Sequence, residues 1–278
     1  MSHNRFSVFI IIVITLILSS NLSLAIEKGD IYKSDINSWN PLVEKKIDEF
    51  IKKVKEGEIK DPKAVFDADG TLWQNDLGET FLKWLIENKK LQNADYSKDI
   101  YKEYEDLVKK DPGKGFIFAV TLMKGIEEKD LKKWAEDFFN NHFKENVYPK
   151  QKELIKRLKD AGVEVWIVSA SNFWSIEGAA PYIGVEQEHV IAIKTEVENG
   201  KLTDKLITPV LHGAGKVEAI KKYIGNRVDL VSGNSMSDYD MLKFSTGLSI
   251  VINPSGKGPG SMMELSENHG WSIQKWEK

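Results

Sequence analysis

Two aspartates, Asp67 and Asp69, stand one residue apart in Asp67-Ala68-Asp69-Gly70-Thr71-Leu72, directly after the short apolar run Lys63-Ala64-Val65-Phe66. The run reads as a buried strand. Alternation along a strand projects both carboxylates to one side at its carboxyl end, and Gly70 lets the backbone turn away sharply. Open α/β sheets place their ligands at that edge. Two carboxylates about 4 Å apart repel by about 4 kcal/mol at an effective dielectric of ~20. A proton, a lysine or a metal ion must offset that cost.

Two further apolar runs end in polar residues. Val163–Val168 leads into Ser169-Ala170-Ser171-Asn172. Val228–Val231 leads into Ser232-Gly233-Asn234-Ser235, with Asp238 and Asp240 one turn on. Lys216 opens a helix. Parallel strands would bring these ends to one edge. That edge would offer a nucleophilic carboxylate, an acid, a hydroxyl, a cation and oxygen ligands for a hard metal such as Mg²⁺. A helix amino terminus would add N–H donors for an anion, and Ser169 is also placed to cap the helix that follows. Gly213-Ala214-Gly215-Lys216 lacks the first glycine and the Ser/Thr of a nucleotide-binding phosphate loop. His142, His189, His212 and His269 show no ligand spacing. Trp73, Trp84, Tyr101 and Tyr104 could line a pocket for a quaternary ammonium group, although packing within a helical segment is the favoured reading.

The elements that must position these residues follow from periodicity. Asn40-Pro41 starts a helix ending near Gly57, preceded by an irregular lead-in over 26–40. From Trp73 to Tyr148 the pattern is helical throughout, with apolar stripes at Phe81–Ile86, Tyr101–Val108, Phe116–Met123 and Leu131–Phe139. Beyond Pro149, helices alternate with the strands Val163–Val168, His189–Ile193, Val228–Val231 and Leu248–Ile252. Asn199-Gly200 between alternating residues signals a hairpin. The expected fold is α/β: a Rossmann-like three-layer core with a parallel sheet, built from 26–75 and 149–278. An all-helical cap over 76–148 is inserted into it.

Composition narrows the function further. The chain has 278 residues, 41% hydrophobic and 29% charged, which suits one large domain carrying an insertion. A net charge of −3 gives no electrostatic case for nucleic acid. With no cysteine, thiol catalysis, disulfides and Cys-ligated zinc are excluded. At the amino terminus, His3 and Arg5 precede an apolar run from Phe6 to Leu18, followed by Ser23-Leu24-Ala25. This reads as a secretory signal peptide over 1–25, cleaved after Ala25. It implies a periplasmic or secreted protein with no stable membrane anchor after cleavage. The oligomeric state is left open.

These motifs, in this order, resemble the haloacid dehalogenase superfamily of phosphohydrolases. The likeness spans roughly residues 60–255: Asp67–Leu72 as the first motif, Ser169 the second, Lys216 the third, and Gly233-Asn234-Ser235-Met236-Ser237-Asp238 the fourth. The helical insertion and the hairpin Val197–Thr203 are similar to the phosphoserine phosphatase-like branch. The resemblance implies that Asp67 is the nucleophile, forming an aspartyl-phosphate, and that Asp69 is the acid–base. It implies that Ser169, Ala170 and Lys216 hold the phosphoryl group, and that Mg²⁺ binds Asp67, the Asp69 carbonyl and the fourth motif. One departure stands out: Asn234 occupies a position usually held by Asp. Its amide oxygen can ligate Mg²⁺ without contributing charge, so Asp238 would supply the remaining carboxylate, directly or through water. The implied activity is an exported, Mg²⁺-dependent phosphomonoesterase acting on a small phosphorylated metabolite of the phosphoserine or phosphorylcholine type. The alternatives are a phosphotransferase or mutase with the same first step, or a catalytically weak binding protein that retains the fold.

Overall fold

A computed structural model describes residues 30–207, 209–256 and 258–277. The expected signal peptide over 1–25 lies outside the described residues. The strands are β1 Lys33–Asp35, β2 Lys63–Phe66, β3 Glu164–Asn172, β4 Val190–Ile193, β5 Thr195–Glu198, β6 Lys201–Leu206, β7 Val228–Gly233, β8 Ser245–Ile252 and β9 Ser272–Glu277. Seven of them form a central parallel sheet in the order β1-β9-β8-β7-β2-β3-β4. The other two, β5 and β6, pair as the expected hairpin. Asn199 and Gly200 at its tip both take positive φ, the backbone such a turn demands.

Successive residues of β2 enter different cores. Ala64 and Phe66 join one hydrophobic cluster and Val65 the other. Both faces of the sheet are therefore covered, as an all-parallel sheet requires. Helices α1 (Pro41–Lys55) and α6 (Pro149–Asp160) contribute to the first cluster. Helices α8 (Ala214–Tyr223) and α9 (Tyr239–Phe244) contribute to the second. Two helices complete the core: α7 (Phe173–Ile183) follows β3, and α10 (Met262–His269) leads into β9. Among the described residues, no helix is long and apolar enough to cross a membrane.

Between β2 and β3 the chain forms the helical cap: α2 Leu77–Glu87, α3 Ile100–Lys110, α4 Pro112–Thr121 and α5 Glu128–Phe138. Its two connections to the core are bonded to each other, through Gln74 N–H to the Asn146 carbonyl at 2.9 Å and Tyr148 N–H to the Leu72 carbonyl at 3.0 Å. On the far side the hairpin holds the cap. Gly125 and Glu128 donate to the carbonyls of Leu202 and Gly200, both at 2.8 Å, and Leu202 donates back to Ile126 at 3.0 Å. A Lys124–Asp204 ion pair at 2.7 Å flanks these bonds.

The lead-in expected to be irregular contains β1, which pairs with β9 at the sheet edge. Neither strand carries a run of apolar residues. Gln274 ties them with its side chain, accepting from the Asn40 amide at 2.7 Å and donating to Ser34 Oγ at 2.7 Å.

Candidate active site

The site is built on the carboxyl ends of β2, β3 and β7. The Asp67 amide donates to the Ser232 carbonyl at 2.9 Å, extending the β2–β7 ladder by one residue and fixing the direction of the first carboxylate. Asp67 is buried at 6% exposure. Its Oδ1 accepts from Lys216 Nζ at 2.6 Å and its Oδ2 from Thr71 Oγ1 at 3.0 Å. Lys216, on the first turn of α8, is fully buried and also donates to Asp238 Oδ1 at 2.6 Å. Asp238 is fully buried too. Its Oδ2 accepts from the amides of Asn234 (2.9 Å) and Ser235 (3.0 Å).

Asp69 is held by three donors. Trp73 Nε1 (2.8 Å) and the Leu77 amide (2.7 Å) reach Oδ1, and the Ser171 hydroxyl donates to Oδ2. The Leu77 amide opens cap helix α2, so the cap touches the acid–base candidate directly. Gly78 lies so close to β3 that a Cβ there would sit 2.6 Å from Ser171 Oγ. The pairing of β3 with β4 slips between Val168 and Asn172, a bulge that carries Ser169, Ala170 and Ser171. Ser169 is buried, its Oγ accepting the Ser171 amide at 3.1 Å. The helix cap open to Ser169 is made instead by Asn172, whose Oδ1 accepts from Ser175 N–H at 3.0 Å. The reason is local geometry: β3 runs on through the bulge, and Asn172 is then the residue preceding α7.

Burial, with the Asp238 charge second, pushes Asp67 up to about 7 against the pull of Lys216. For Lys216, burial acts to lower the value, but the carboxylates of Asp238 and Asp67 outweigh it and hold the ammonium above the ordinary lysine range. Burial also raises Asp69, while Ser171, Trp73 and the Leu77 amide oppose the rise.

The wall contributed by the cap is acidic and aromatic. Asp76 caps α2 by accepting the Glu79 amide at 2.7 Å. Burial and then the Asp69 charge hold its carboxyl well above the ordinary aspartate range. Tyr101 donates to Glu79, and the Tyr101 and Tyr104 rings lie 6.0 Å apart. Trp73 and Trp84 pack as cap core, Trp73 edge-on to Phe143 and Trp84 stacked on Phe81. Sequence reasoning placed Ser171 at this edge without giving it a role, and missed Asp76 and Glu79 as site residues. The role of Ser171 was within reach, since it stands two residues beyond Ser169 on the same strand.

Among the described residues, no cluster of three acidic, His or Cys side chains is arranged to hold a metal ion. What the strand ends offer is the Asp67 carboxylate, the Asp69 carbonyl and the Asn234 amide, whose side chain packs over Gly70. Such an oxygen set fits Mg²⁺, which is commonly bound by one or two carboxylates completed by waters and substrate phosphate. Both oxygens of Asp238 are engaged by Lys216 and by the loop amides.

Residues 64–243 match the family described as haloacid dehalogenase-like hydrolase, and the chain belongs to it. It is an enzyme of the phosphatase type, similar to the phosphoserine phosphatase-like branch. Phosphoserine phosphatase SerB1 of Mycobacterium tuberculosis is 24% identical over 221 residues, covering 76% of this chain and 70% of that protein. Among solved structures, a protein of unknown function from Bordetella pertussis superposes with a TM-score of 0.67 at 21% identity, covering 78% of this chain and 99% of that one. A substrate-bound phosphoserine phosphatase superposes with a TM-score of 0.50 at 21% identity, covering 79% and 94%.

The folded value of Asp67 lies above that of an unfolded aspartate, about 3.9. Its ionisation therefore costs the folded state free energy as pH rises from about 4 to about 7. Asp67→Asn removes that cost and leaves Lys216 paired with Asp238. In chelator at pH 8 the variant is expected to melt several degrees above the wild type, with the gain shrinking toward pH 4; a lower melting temperature at pH 8 would contradict this charge balance. Ser171→Ala removes a donor from the Asp69 carboxylate, so its acid form should persist to higher pH. The alkaline limb of the kcat/KM profile is expected to move upward, and an unmoved limb would separate Ser171 from the proton transfer.

Proposed function

We propose that this chain is an exported, Mg²⁺-dependent phosphomonoesterase that works through a phosphoryl-aspartate at Asp67. The observation that carries the reading is the Lys216 ammonium, 2.6 Å from the Asp67 carboxylate, with Asp69 on the adjoining turn. Lys216, Ser169 and the backbone around Ala170 hold the phosphoryl oxygens. The Asp67 carboxylate attacks phosphorus, and the bond to the leaving oxygen breaks as Asp69 protonates that oxygen. Asp69 then takes a proton from the water that attacks the acyl phosphate, which returns Asp67 and releases phosphate. Asp67, the Asp69 carbonyl and Asn234 would hold Mg²⁺, with Asp238 acting through Lys216. Bound there, the ion supplies charge neutralisation for the phosphoryl oxygens. The cap excludes water from the first step.

The cap wall points to the substrate. Asp76, Glu79, Tyr101 and Tyr104 form an acidic and aromatic surface suited to a cationic group. The two described arginines are engaged elsewhere: Arg157 with Glu44 and Asp48, Arg227 with Asp229. A bidentate carboxylate anchor of the kind a phosphoamino acid would use is thus absent from the described cap. Within the phosphoserine- or phosphorylcholine-type class, this favours a phosphorylated amino alcohol such as phosphorylcholine.

A panel of phosphomonoesters assayed with and without Mg²⁺ tests the reading. Phosphate release is expected only with the metal, and Asp67→Asn is expected to lose at least about a thousandfold. Glu79→Gln should raise KM about tenfold for phosphorylcholine and leave it unchanged for glycerol phosphate. Absence of release from every substrate would remove the hydrolase assignment, and equal KM changes would remove the ammonium wall. For export, the protein recovered from cells is expected to begin at Ile26; an intact Met1 in mass spectrometry would rule out cleavage after Ala25.

A further inference from the structure

Besides Lys216, two residues hold Asp67. Its amide donates to the Ser232 carbonyl at 2.9 Å, and its Oδ2 accepts from Thr71 Oγ1 at 3.0 Å. Thr71 and Ser232 are both fully buried, and both meet the same third residue. Gln151, on the first turn of α6, donates through Nε2 to the Thr71 carbonyl at 3.0 Å and to Ser232 Oγ at 3.2 Å. A carbonyl only accepts, so the nitrogen end of the amide must face Thr71. One side chain thus joins the turn after β2 to the end of β7, the two segments that fix Asp67.

The amide is an expensive way to fill this space. Gln151 is fully buried, and its Oε1 accepts no hydrogen bond among the described residues. A buried acceptor without a donor destabilises the folded state, and an apolar side chain of similar length would avoid that. What the amide supplies is position. Next to the carbonyl that it holds, the Leu72 carbonyl accepts from Tyr148 N–H at 3.0 Å. Two consecutive carbonyls of the turn are therefore tied to the start of α6.

We propose that Gln151 is a positioning residue: its side-chain amide holds Thr71 and Ser232 together and through them aims the Asp67 carboxylate. The inference rests on the phosphomonoesterase reading, which makes Asp67 the attacking group. Being fully buried, Gln151 acts through Thr71 and Ser232 and not on the substrate. Attack on phosphorus depends on the placement of the carboxylate, and a misplacement of about 1 Å can cost up to about a hundredfold. Binding of the ester is spread over other groups, so the loss belongs in kcat and not in KM.

Steady-state hydrolysis of p-nitrophenyl phosphate with Mg²⁺ by the full chain as recovered from cells tests this. Gln151→Met removes both donated bonds at nearly the same length. It is expected to lower kcat about tenfold with KM within about twofold of the wild type, and to keep the wild-type circular dichroism spectrum. Gln151→Asn keeps an amide that is one methylene short of its two partners, and the same split is expected. In a Thr71→Val background, with no hydroxyl left to place, the loss from Gln151→Met is expected to shrink to about threefold or less. An unchanged kcat in either folded Gln151 variant, or losses from Gln151→Met and Thr71→Val that multiply in full, would overturn the positioning role and leave the phosphatase reading standing. No release by the wild type from this ester or from any other phosphomonoester would overturn both.

Discussion

The Lys216 ammonium, enclosed between Asp67 and Asp238, is the interaction on which the site depends. A buried charge costs several kcal/mol unless it is paired and hydrogen-bonded, and Lys216 is fully buried. One carboxylate partner directly follows β2 and the other lies on the short helical turn after the adjacent strand β7, so the pair forms only when the sheet is in register. Asp238 in turn is held by the loop amides of Asn234 and Ser235, which fixes the turn after β7. One cation thus organises three segments that lie far apart in sequence. The arrangement is a weak source of stability and a strong source of position. It holds Asp67 in one place while leaving it with more negative charge around it than the fold would choose.

The second aspartate is treated differently. Asp69 receives donors from its own turn, from the β3 bulge and from the first turn of the cap. Its surroundings therefore change if the cap moves, whereas those of Asp67 belong to the core alone. This division gives two adjacent carboxylates separate environments, which is what the two roles proposed for them, nucleophile and proton carrier, require.

Much of this was legible in the sequence because the signals were local. Alternation placed both aspartates on one side of β2, apolar runs located β3, β7 and β8, and Asn199-Gly200 marked the hairpin. The helical stripes of the cap were equally plain. What escaped has a common cause. Strands β1 and β9 are short and polar, and their pairing rests on Gln274 and on neighbours in space that no window of sequence contains. The contact of Ser171 with Asp69 joins positions 102 residues apart. The commitment of Asp238 to Lys216 depends on burial, which spacing does not convey. Tyr101 and Tyr104 read as packing because a stripe of aromatics carries no sign of the acid that one of them meets.

The clasp between hairpin and cap also links the cap to the element that follows the hairpin in the chain. The cap's two connections are bonded to each other at Leu72–Gln74 and Asn146–Tyr148, and Gly125, Ile126 and Glu128 tie its other side to the hairpin. The strand in that clasp, β6, is the last element before α8, the helix bearing Lys216. The clasp that holds the cap and the helix that places the buried cation are therefore consecutive elements of the chain.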